Sequence, residues 1–598
     1  MEFLGLNYVI WIVLLVYFAG ILLVGWWSKR SISNQEGFLL GNRQFGVSMM
    51  IMHSFGAGTN PGDAAGVISK TVSNGASGIW VSWMWMFGTP FYWLIAPVVR
   101  RMRCLTMADF FQERYSKASC ILYIIVATIG MIIYLASAML ATTRTVQGMM
   151  GKAVQESSVV QTHKSDTASG ETSAKAAGST AVTNNIQQQN SSQITYRESE
   201  IWFFGIIILT TLIFVIYGYW GGIIAAIRTD MVQGLMIILL SVLAIPAAMN
   251  YKGMIGGLTG IRETLTAMST QNTNYLRIFD PKMFNLWVVI LLCVNAPICM
   301  MAQTHLMTVC AAGRTEWEGR MGFCYGNILK RFCTIGWCVL GLCWLTYLLK
   351  SQSVVHPDAA FGDSVRALLP PALQGLMLAC VMAAAMSTGD AVQVTVAGLF
   401  SQNIYKVHIN PKATEARTLK VTRVVGVLVI TAALITAILM RKDLVKAILD
   451  YFNIMAFLGI TTAMGILWRR MNSVGMFTCT ILAAITFIVT RYTLSMSREY
   501  TIGLPMAAGV LGGIIGSLLT NPPDPQVIEK FFRKIYVPIG EEEKLNLPLD
   551  QAVPPSKRWL TAGGLFIMKP SRQSWVGFLI ALGICLALLG IMLILLKN

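Results

Sequence analysis

Long apolar stretches alternate with short polar connections along most of this 598-residue chain. A helix needs about 20 apolar residues to cross the hydrocarbon core of a bilayer. Counted at that length, the chain contains about fourteen candidate spans. In order, they cover residues 7–27, 46–69, 74–98, 119–150, 201–220, 224–249, 283–312, 326–350, 369–404, 417–440, 443–468, 474–494, 501–519 and 574–596. The pattern therefore predicts an all-α polytopic membrane protein.

Two of these spans contain residues that disfavour a continuous helix. In the second, the stretch Phe55–Asp63 holds three glycines, a proline and several polar side chains. In the seventh, Asn295-Ala296-Pro297 interrupts the apolar run, and Gln303 and His305 follow. Broken helices at matching places in two halves of a chain indicate a transporter built from inverted repeats around a central site. The alternative is a pair of kinked helices, since Pro and Gly kinks are common in membrane proteins.

The spans and the polar segments between them predict how the chain is divided. The segment at 151–200 is a polar insert on the outer side, rich in Ser, Thr, Gln and Asn. It lacks the apolar residues needed for a core, so we expect disorder or weak helix there. The predicted parts are a first span and cytoplasmic loop (1–45), a first inverted repeat (46–249), a second inverted repeat (250–468), additional spans (469–520), a cytoplasmic linker (521–573) and a last span (574–598).

Charge refines the topology and excludes some functions. The chain has 46 Lys and Arg against 28 Asp and Glu, a net charge of +18. The basic residues are scattered in short connections, which is typical of topology determinants and not of a nucleic-acid surface. The basic connections after spans one and three should be cytoplasmic, which puts both ends of the chain outside a plasma or bacterial inner membrane. No catalytic, phosphate-binding or metal-binding motif stands out, so we expect neither an enzyme nor an organic cofactor.

The stretch Ala383–Asp390 carries the chemistry that is most unusual for an apolar span. An aspartate at the centre of a membrane helix costs about 2.5–3.5 kcal/mol on insertion scales, so Asp390 should face a cavity or a partner. Ser387, Thr388 and Asp390 offer only oxygen at short reach, which suits a hard cation such as sodium. Alternatively, the two hydroxyls bond back to carbonyls one turn earlier.

Four stretches are similar to the sodium:solute symporter family, which includes sodium/glucose, sodium/proline and sodium/pantothenate carriers. They are Gly37–Arg43, Leu105–Tyr115, Gly218–Gly222 continuing through Arg228–Gly234, and Met386–Thr388 with Gln402–Tyr405. Their order and spacing fit the family from residue 7 to residue 520 of this chain. The resemblance implies the leucine-transporter-type fold, a 5+5 inverted-repeat core with extra helices.

The resemblance also implies which atoms bind the coupling ion. Sodium would be held by the backbone carbonyls of Met52, Phe55 and Ala384 and by the hydroxyls of Ser387 and Thr388. Neutral oxygens suit a cation that has to leave on every transport cycle. A cage of charged ligands would retain it.

A second ion site is implied by relatives that bind two sodium ions. There the resemblance points to Asp230 together with two hydroxyl positions that Asp390 and Ala391 occupy in this chain. Two carboxylates close together cannot both ionise cheaply without a cation between them. Asp230 and Asp390 would therefore share a second cation or a proton. The alternative is that Asp390 pairs with a basic group such as Arg228.

The two broken helices define where the solute should bind. We expect it among Thr59, Asn60, Asp63, Gln303 and His305, where broken ends expose backbone groups. Asp63 disfavours a bare carboxylate nearby, so we prefer a sugar, a polyol or an amine as the solute. The expected function is a sodium-coupled symporter that imports a small organic solute by alternating access, with sodium, the solute and the bilayer as its partners. A membrane solute sensor on the same fold is the alternative.

Overall fold

The computed structural model describes residues 2–29, 35–151, 180–253, 255–269, 274–281, 284–353, 356–441 and 444–597. Helices dominate it, as the apolar pattern predicts. They are α1 (Tyr8–Lys29), α2 (Gln35–Leu40), α3 (Val47–Ala57), α4 (Pro61–Asn74), α5 (Trp80–Trp83), α6 (Thr89–Arg101), α7 (Met107–Arg114), α8 (Lys117–Met149), α9 (Thr180–Met249), α10 (Gly257–Ala267), α11 (Leu286–Met300), α12 (Leu306–Ala311), α13 (Glu316–Ser351), α14 (Ala360–Leu368), α15 (Pro371–Gly398), α16 (Glu415–Leu439), α17 (Leu444–Leu467), α18 (Ser473–Ile488), α19 (Arg498–Leu518), α20 (Pro525–Tyr536), α21 (Leu549–Ala552) and α22 (Arg572–Leu596). Two short antiparallel pairs join β1 (Glu2–Phe3) to β2 (Leu6–Asn7) and β3 (Arg558–Leu560) to β4 (Ile567–Met568).

Nine helices within the described ranges are long and apolar enough to cross a membrane. They are Lys117–Met149, Ala226–Met249, Glu316–Ser351, Pro371–Ile409, Glu415–Leu439, Ile448–Leu467, Ser473–Thr493, Arg498–Leu518 and Arg572–Leu596. Shorter apolar helices are Tyr8–Ile21, Val47–Ala57, Glu200–Leu212 and Leu286–Met300. The predicted number of fourteen spans is not confirmed, and the predicted orientation stays a prediction. Predicted spans two, three and seven are each divided into shorter helices.

The division of span two into α3 and α4 confirms the predicted break. α3 ends at Ala57, and the Gly58 N–H donates to the Ser54 carbonyl at 3.0 Å. The Asn60 side chain caps α4, and the Asp63 carboxylate accepts the Asn60 backbone N–H at 2.8 Å. This reciprocal capping satisfies backbone groups that a membrane helix would otherwise satisfy internally. The break is therefore fixed by local sequence.

The seventh span breaks later than the sequence predicts. Pro297 lies inside α11, and the interruption falls at residues 301–305, between α11 and α12. The predicted interruption of the seventh span is confirmed, but it falls a few residues after Asn295-Ala296-Pro297. Gly88 packs against this stretch, since an added Cβ there would lie 2.9 Å from the Ala296 Cβ and 3.0 Å from the Pro297 Cδ. Close packing of a neighbouring helix lets a membrane helix continue through proline.

The third predicted span is also interrupted, which the sequence analysis did not anticipate. The chain passes from a tight turn at Gly75, where φ is +69°, through the single turn α5 before α6 begins. The Arg331 guanidinium donates to the Ser82 carbonyl at 3.0 Å, and the Trp83 indole donates to the Arg331 carbonyl at 3.0 Å. The Arg331 side chain of α13 therefore supplies a hydrogen-bond partner for the Ser82 backbone carbonyl, where the span is interrupted.

The two ends of the transmembrane part of α9 lie at the same end of the bundle. Arg144, near the end of α8, stacks on Phe203 at 4.8 Å, and Gly148 packs closely on the segment that follows α13. Tyr251, just after α9, contacts Tyr347 near the end of α13 at 6.0 Å. A straight helix would separate Phe203 from Tyr251 by about 70 Å. Helix α9 is therefore not one straight rod, and its two apolar parts, Glu200–Leu212 and Ala226–Met249, run back along the same bundle.

The polar insert lies before the apolar parts of α9 in the chain. Residues 152–179 of the predicted segment 151–200 lie outside the described residues, so the prediction of disorder or weak helix is not tested there. From residue 180 onward the chain is helical and runs directly into the transmembrane part of α9.

Helix α13 lies across the break between α3 and α4. Its glycines allow close approach: a Cβ added at Gly326 would lie 2.6 Å from the Ile51 carbonyl oxygen of α3. A Cβ at Gly341 would lie 2.9 Å from the Thr71 Cβ of α4. The backbone of one helix therefore touches both halves of the broken one. Helix α15 is the most enclosed span, with every residue from Met377 to Gly398 buried.

The predicted cytoplasmic linker at 521–573 has folded parts. Helix α20 buries Phe532 and Ile535, and the strand pair β3–β4 follows it. Lys534 of α20 pairs with Glu113 of α7 at 2.6 Å. The segment therefore packs against the ends of the spans.

Candidate functional site

The hydroxyls of Ser387 and Thr388 lie buried in the middle of α15. Neither makes a hydrogen bond of regular geometry among the described residues, and the polar neighbour of the Ser387 hydroxyl is the Asp230 carboxylate. Other threonines in the spans behave differently: Thr142 and Thr143 of α8 donate to carbonyls one turn earlier at 2.9 and 2.8 Å. The alternative that Ser387 and Thr388 bond back to their own helix therefore does not describe this structure. Two hydroxyl oxygens therefore remain available in the centre of the bundle.

Three helices converge on these hydroxyls. A Cβ added at Gly56 of α3 would lie 2.9 Å from Asp230 Oδ1 of α9 and 3.1 Å from Ser387 Oγ of α15. Asp230 Oδ1 also makes no hydrogen bond of regular geometry among the described residues. We call the group formed by Gly56, Asp230, Ser387 and Thr388 the hydroxyl site. Its oxygens suit a hard cation such as sodium.

The other implied sodium ligands lie in the same helices with different surroundings. Met52 lies inside α3, where its side chain packs on Gly234, and Phe55 is the third residue from the end of that helix. The Phe55 carbonyl accepts a hydrogen bond from the Thr59 hydroxyl. Ala384 of α15 lines a neighbouring cavity with Thr59 and Asn60. The role of these three carbonyls stays a prediction.

Asp230 has a partner that the sequence analysis missed. His53 Nδ1 lies 2.8 Å from Asp230 Oδ2, and both side chains are 1% exposed. His53 sits on α3, one turn before the break, and its Nε2 has no hydrogen-bond partner among the described residues. A histidine inside an apolar run is the signal that could have revealed it, because buried polar groups usually have partners.

Asp390 lies one turn after Ser387 in α15 and is buried. Tyr17 of α1 lies within electrostatic reach of both Asp230 and Asp390. The Tyr17 hydroxyl accepts a hydrogen bond from Gln233 at 2.9 Å. The two carboxylates thus share one polar region, whereas a shared ion and the alternative pairing with Arg228 both remain predictions.

The residues predicted to bind the solute divide into two groups. Gln303 and His305 line a cavity between the broken helices, together with Tyr134, Asn327, Lys330, Arg331 and Tyr451, which we call the central cavity. Thr59, Asn60 and Asp63 do not line it. Thr59 bonds to Phe55, and Asn60 and Asp63 cap α4.

Asp63 is neutralised by a residue that the sequence analysis overlooked. Lys330 Nζ of α13 lies 2.7 Å from Asp63 Oδ2 and also donates to the Gly58 carbonyl. We call the group of Gly58, Asp63 and Lys330 the lysine site. This ion pair removes the reason for expecting Asp63 to repel a carboxylate. The adjacent bases Lys330-Arg331 inside the apolar run 326–350 were the available signal.

Residues 202–483 match the family model described as the sodium:solute symporter family. The predicted resemblance to the sodium:solute symporters is confirmed. The matched range contains Asp230, Lys330 and the whole of α15, so it includes three of the four residues of the hydroxyl site and one of the three residues of the lysine site.

Known relatives of this chain have low sequence identity, but two of them match most of its length. An osmoregulated proline transporter of Bacillus subtilis is 23% identical over 85% of this chain and 94% of its own length. A sodium/proline symporter of Salmonella typhimurium is 22% identical over 86% of this chain and 94% of its own length. A sodium/pantothenate symporter of Haemophilus influenzae is 21% identical over 51% of this chain and 62% of its own length. These relatives are transporters, not enzymes, and the chain is a multi-pass protein of the cell membrane.

Among solved structures, the chain is similar to a sodium-coupled sialic acid symporter in a substrate-bound outward-open state. The TM-score is 0.66 at 16% identity, covering 86% of this chain and 99% of that one. The likeness confirms the leucine-transporter-type helical fold. The preferred neutral sugar or polyol solute is not supported, since the relatives are named for proline and pantothenate and the similar solved structure for sialic acid, a sugar that carries a carboxylate.

Proposed function

We propose that this chain is a sodium-coupled symporter that imports a small organic solute bearing a carboxylate, by alternating access. One observation carries the proposal: the buried hydroxyls of Ser387 and Thr388, which make no hydrogen bonds of regular geometry among the described residues, lie beside the break in α3–α4 and next to Asp230. Buried polar groups without partners are rare in folded proteins, so an unfilled oxygen cluster in an apolar bundle favours an exchangeable ion.

The coupling ion is sodium, bound by the hydroxyls of Ser387 and Thr388 and the carbonyls of Met52, Phe55 and Ala384. Hard, neutral oxygens favour sodium over softer metals and allow its release. At 100 mV the membrane potential contributes about 2.3 kcal/mol per charge, on the order of 50-fold accumulation of the solute.

Asp230 and Asp390 are the candidates for a second cation or proton. Their common neighbour Tyr17 and the His53 partner of Asp230 support a polar region that responds to ion binding. The Asp390→Asn variant should then change the ratio of sodium to solute flux. An unchanged ratio would assign Asp390 a structural role.

The charge of the central cavity supports a carboxylate solute. Lys330 and Arg331 both line it, and Asp63 compensates one of the two positive charges. Proline, pantothenate and sialic acid, for which the relatives are named, all carry a carboxylate. Gln303 and His305 would contact the polar remainder of the solute.

Uptake into proteoliposomes tests the proposal. Labelled proline, pantothenate and sialic acid are offered with an inward sodium gradient and, separately, with choline in place of sodium. We expect sodium-dependent accumulation of at least one acid, and Ser387→Ala should need about tenfold more sodium for half-maximal uptake. Thr395→Val is the matched control, because Thr395 of α15 already bonds to the Ala391 carbonyl. Solute binding without accumulation would favour the sensor instead.

A further inference from the structure

Lys330 brings a positive charge to the break between α3 and α4. Its Nζ atom contacts Asp63 Oδ2 at 2.7 Å, and the two side chains are only 7% and 6% exposed. The same ammonium donates to the carbonyl of Gly58, the residue that follows α3. One cation thus touches both sides of the interruption.

The packing of α13 fixes this cation in place. Gly322 and Gly326 bring the helix against the backbone of α3, and Gly341 brings it against α4. Lys330 lies between these contacts along α13, directly opposite the break. The neighbouring Arg331 is held by the Ser82 carbonyl at 3.0 Å, so the helix cannot rotate freely around this point.

The acceptors at the lysine site are those that bind a small cation. In transporters with broken helices, backbone carbonyls freed at the break coordinate the coupling sodium ion or proton. A carbonyl and a carboxylate supply hard oxygen ligands and a compensating charge. A lysine ammonium has the same unit charge as sodium and three donors for the same oxygens.

We propose that Lys330 is a tethered cation, whose ammonium holds the place between the Gly58 carbonyl and the Asp63 carboxylate that a sodium ion would otherwise take. The lysine site therefore does not exchange its cation during transport. Replacing the ammonium by an apolar group converts it into a sodium site. The inference rests on the proposed function only for the identity of the coupling cation.

Radioactive sodium binding to the purified full-length chain, without solute, tests this directly. Lys330→Met should bind one more sodium ion per chain than the wild type, and Lys330→Met/Asp63→Asn should return to the wild-type number. Lys350→Met, which removes a charge from the exposed end of the same helix, should leave the number unchanged. Repeating the set in Ser387→Ala separates the two sites, so failure of the hydroxyl site does not hide the result.

Three outcomes would overturn the proposal. The first is a folded Lys330→Met variant that binds no additional sodium. The second is that Lys330→Met fails to fold in sodium whereas Lys330→Met/Asp63→Asn folds. That result would mean that sodium does not bind Asp63 in place of the ammonium. The third needs no change at Lys330: Asp63→Asn, nearly isosteric, should bind as much sodium as the wild type. Loss of one sodium ion in that variant would show that Asp63 already binds sodium beside the lysine.

Discussion

The hydroxyl site and the lysine site lie beside the same broken helix and differ in one respect. At the hydroxyl site, the hydroxyl oxygens of Ser387 and Thr388 and Asp230 Oδ1 make no hydrogen bonds of regular geometry among the described residues. At the lysine site, Asp63 and the Gly58 carbonyl are both bonded to Lys330. An ion can enter only where acceptors are open, because displacing a buried ammonium leaves its charge unpaired. The contrast supports the proposals of an exchangeable ion at the hydroxyl site and a permanent cation at the lysine site.

The largest effect should follow from emptying the lysine site. In choline, Lys330→Met leaves Asp63 buried without a cation, and we expect a loss of about 3–5 kcal/mol in the free energy of unfolding. Denaturant unfolding of the purified protein measures this loss, with Lys350→Met as the control. An equal effect of the two variants would show that Asp63 does not depend on the ammonium.

A smaller effect should follow from crowding the hydroxyl site. The Cβ added by Gly56→Ala would lie 2.9 Å from Asp230 Oδ1 and 3.1 Å from Ser387 Oγ. Overpacking of this kind costs about 1–3 kcal/mol, so we expect the sodium concentration for half-maximal uptake to rise about tenfold to a hundredfold. Gly590→Ala, where an added Cβ meets nothing within 4 Å, should leave that concentration unchanged. If the two variants showed the same sodium dependence, Gly56 would not lie beside the sodium site.

Removing one hydroxyl should have a still smaller effect. Ser387→Ala or Thr388→Ala should raise the sodium concentration for half-maximal uptake about tenfold, since each loses one ligand worth about 1–2 kcal/mol. The measurement is the sodium dependence of initial uptake, compared with Thr395→Val. If both alanine variants retained wild-type dependence, the hydroxyl site would not be the sodium site.

Deleting the polar insert should have the smallest effect on uptake, because both proposed cation sites lie in the centre of the bundle and not in the insert. Replacing residues 152–198 by a short Gly/Ser linker should leave insertion and uptake unchanged, since polar exposed segments tolerate deletion. Uptake by the shortened protein in liposomes checks this. A properly inserted protein without uptake would reveal a role for the insert in gating or partner binding.

Local sequence determined what could be predicted about the broken helix. Gly58, Asn60 and Pro61 act on their own backbone, so the end of α3 and the start of α4 followed from their order. The effect of Pro297 could not be predicted from the sequence, because it depends on Gly88, a distant residue that packs against it. Interruption of the third span was missed for the same reason, since Arg331 of α13 supports it.

The ion pairs depended entirely on folding. His53 and Asp230 are 177 residues apart in the chain, and Lys330 lies 272 residues beyond Gly58. The sequence indicated that Asp390 was costly to bury and that Asp230 and Asp390 would need a cation or a proton, but not which groups pair with Asp63 and Asp230. The open hydroxyls of Ser387 and Thr388 were predictable as candidates because their residue types and spacing alone suggested an oxygen site.

The close contacts of α13 have a mechanical consequence. Glycines on this helix leave no clearance to α3 or to α4, and Lys330 bonds to both sides of the gap between them. Helix α13 therefore holds α3 and α4 in a fixed relative position, so the break between them cannot act as a hinge. Any movement that exposes the hydroxyl site has to carry α3, α4 and α13 together as one rigid unit and slide them against α15.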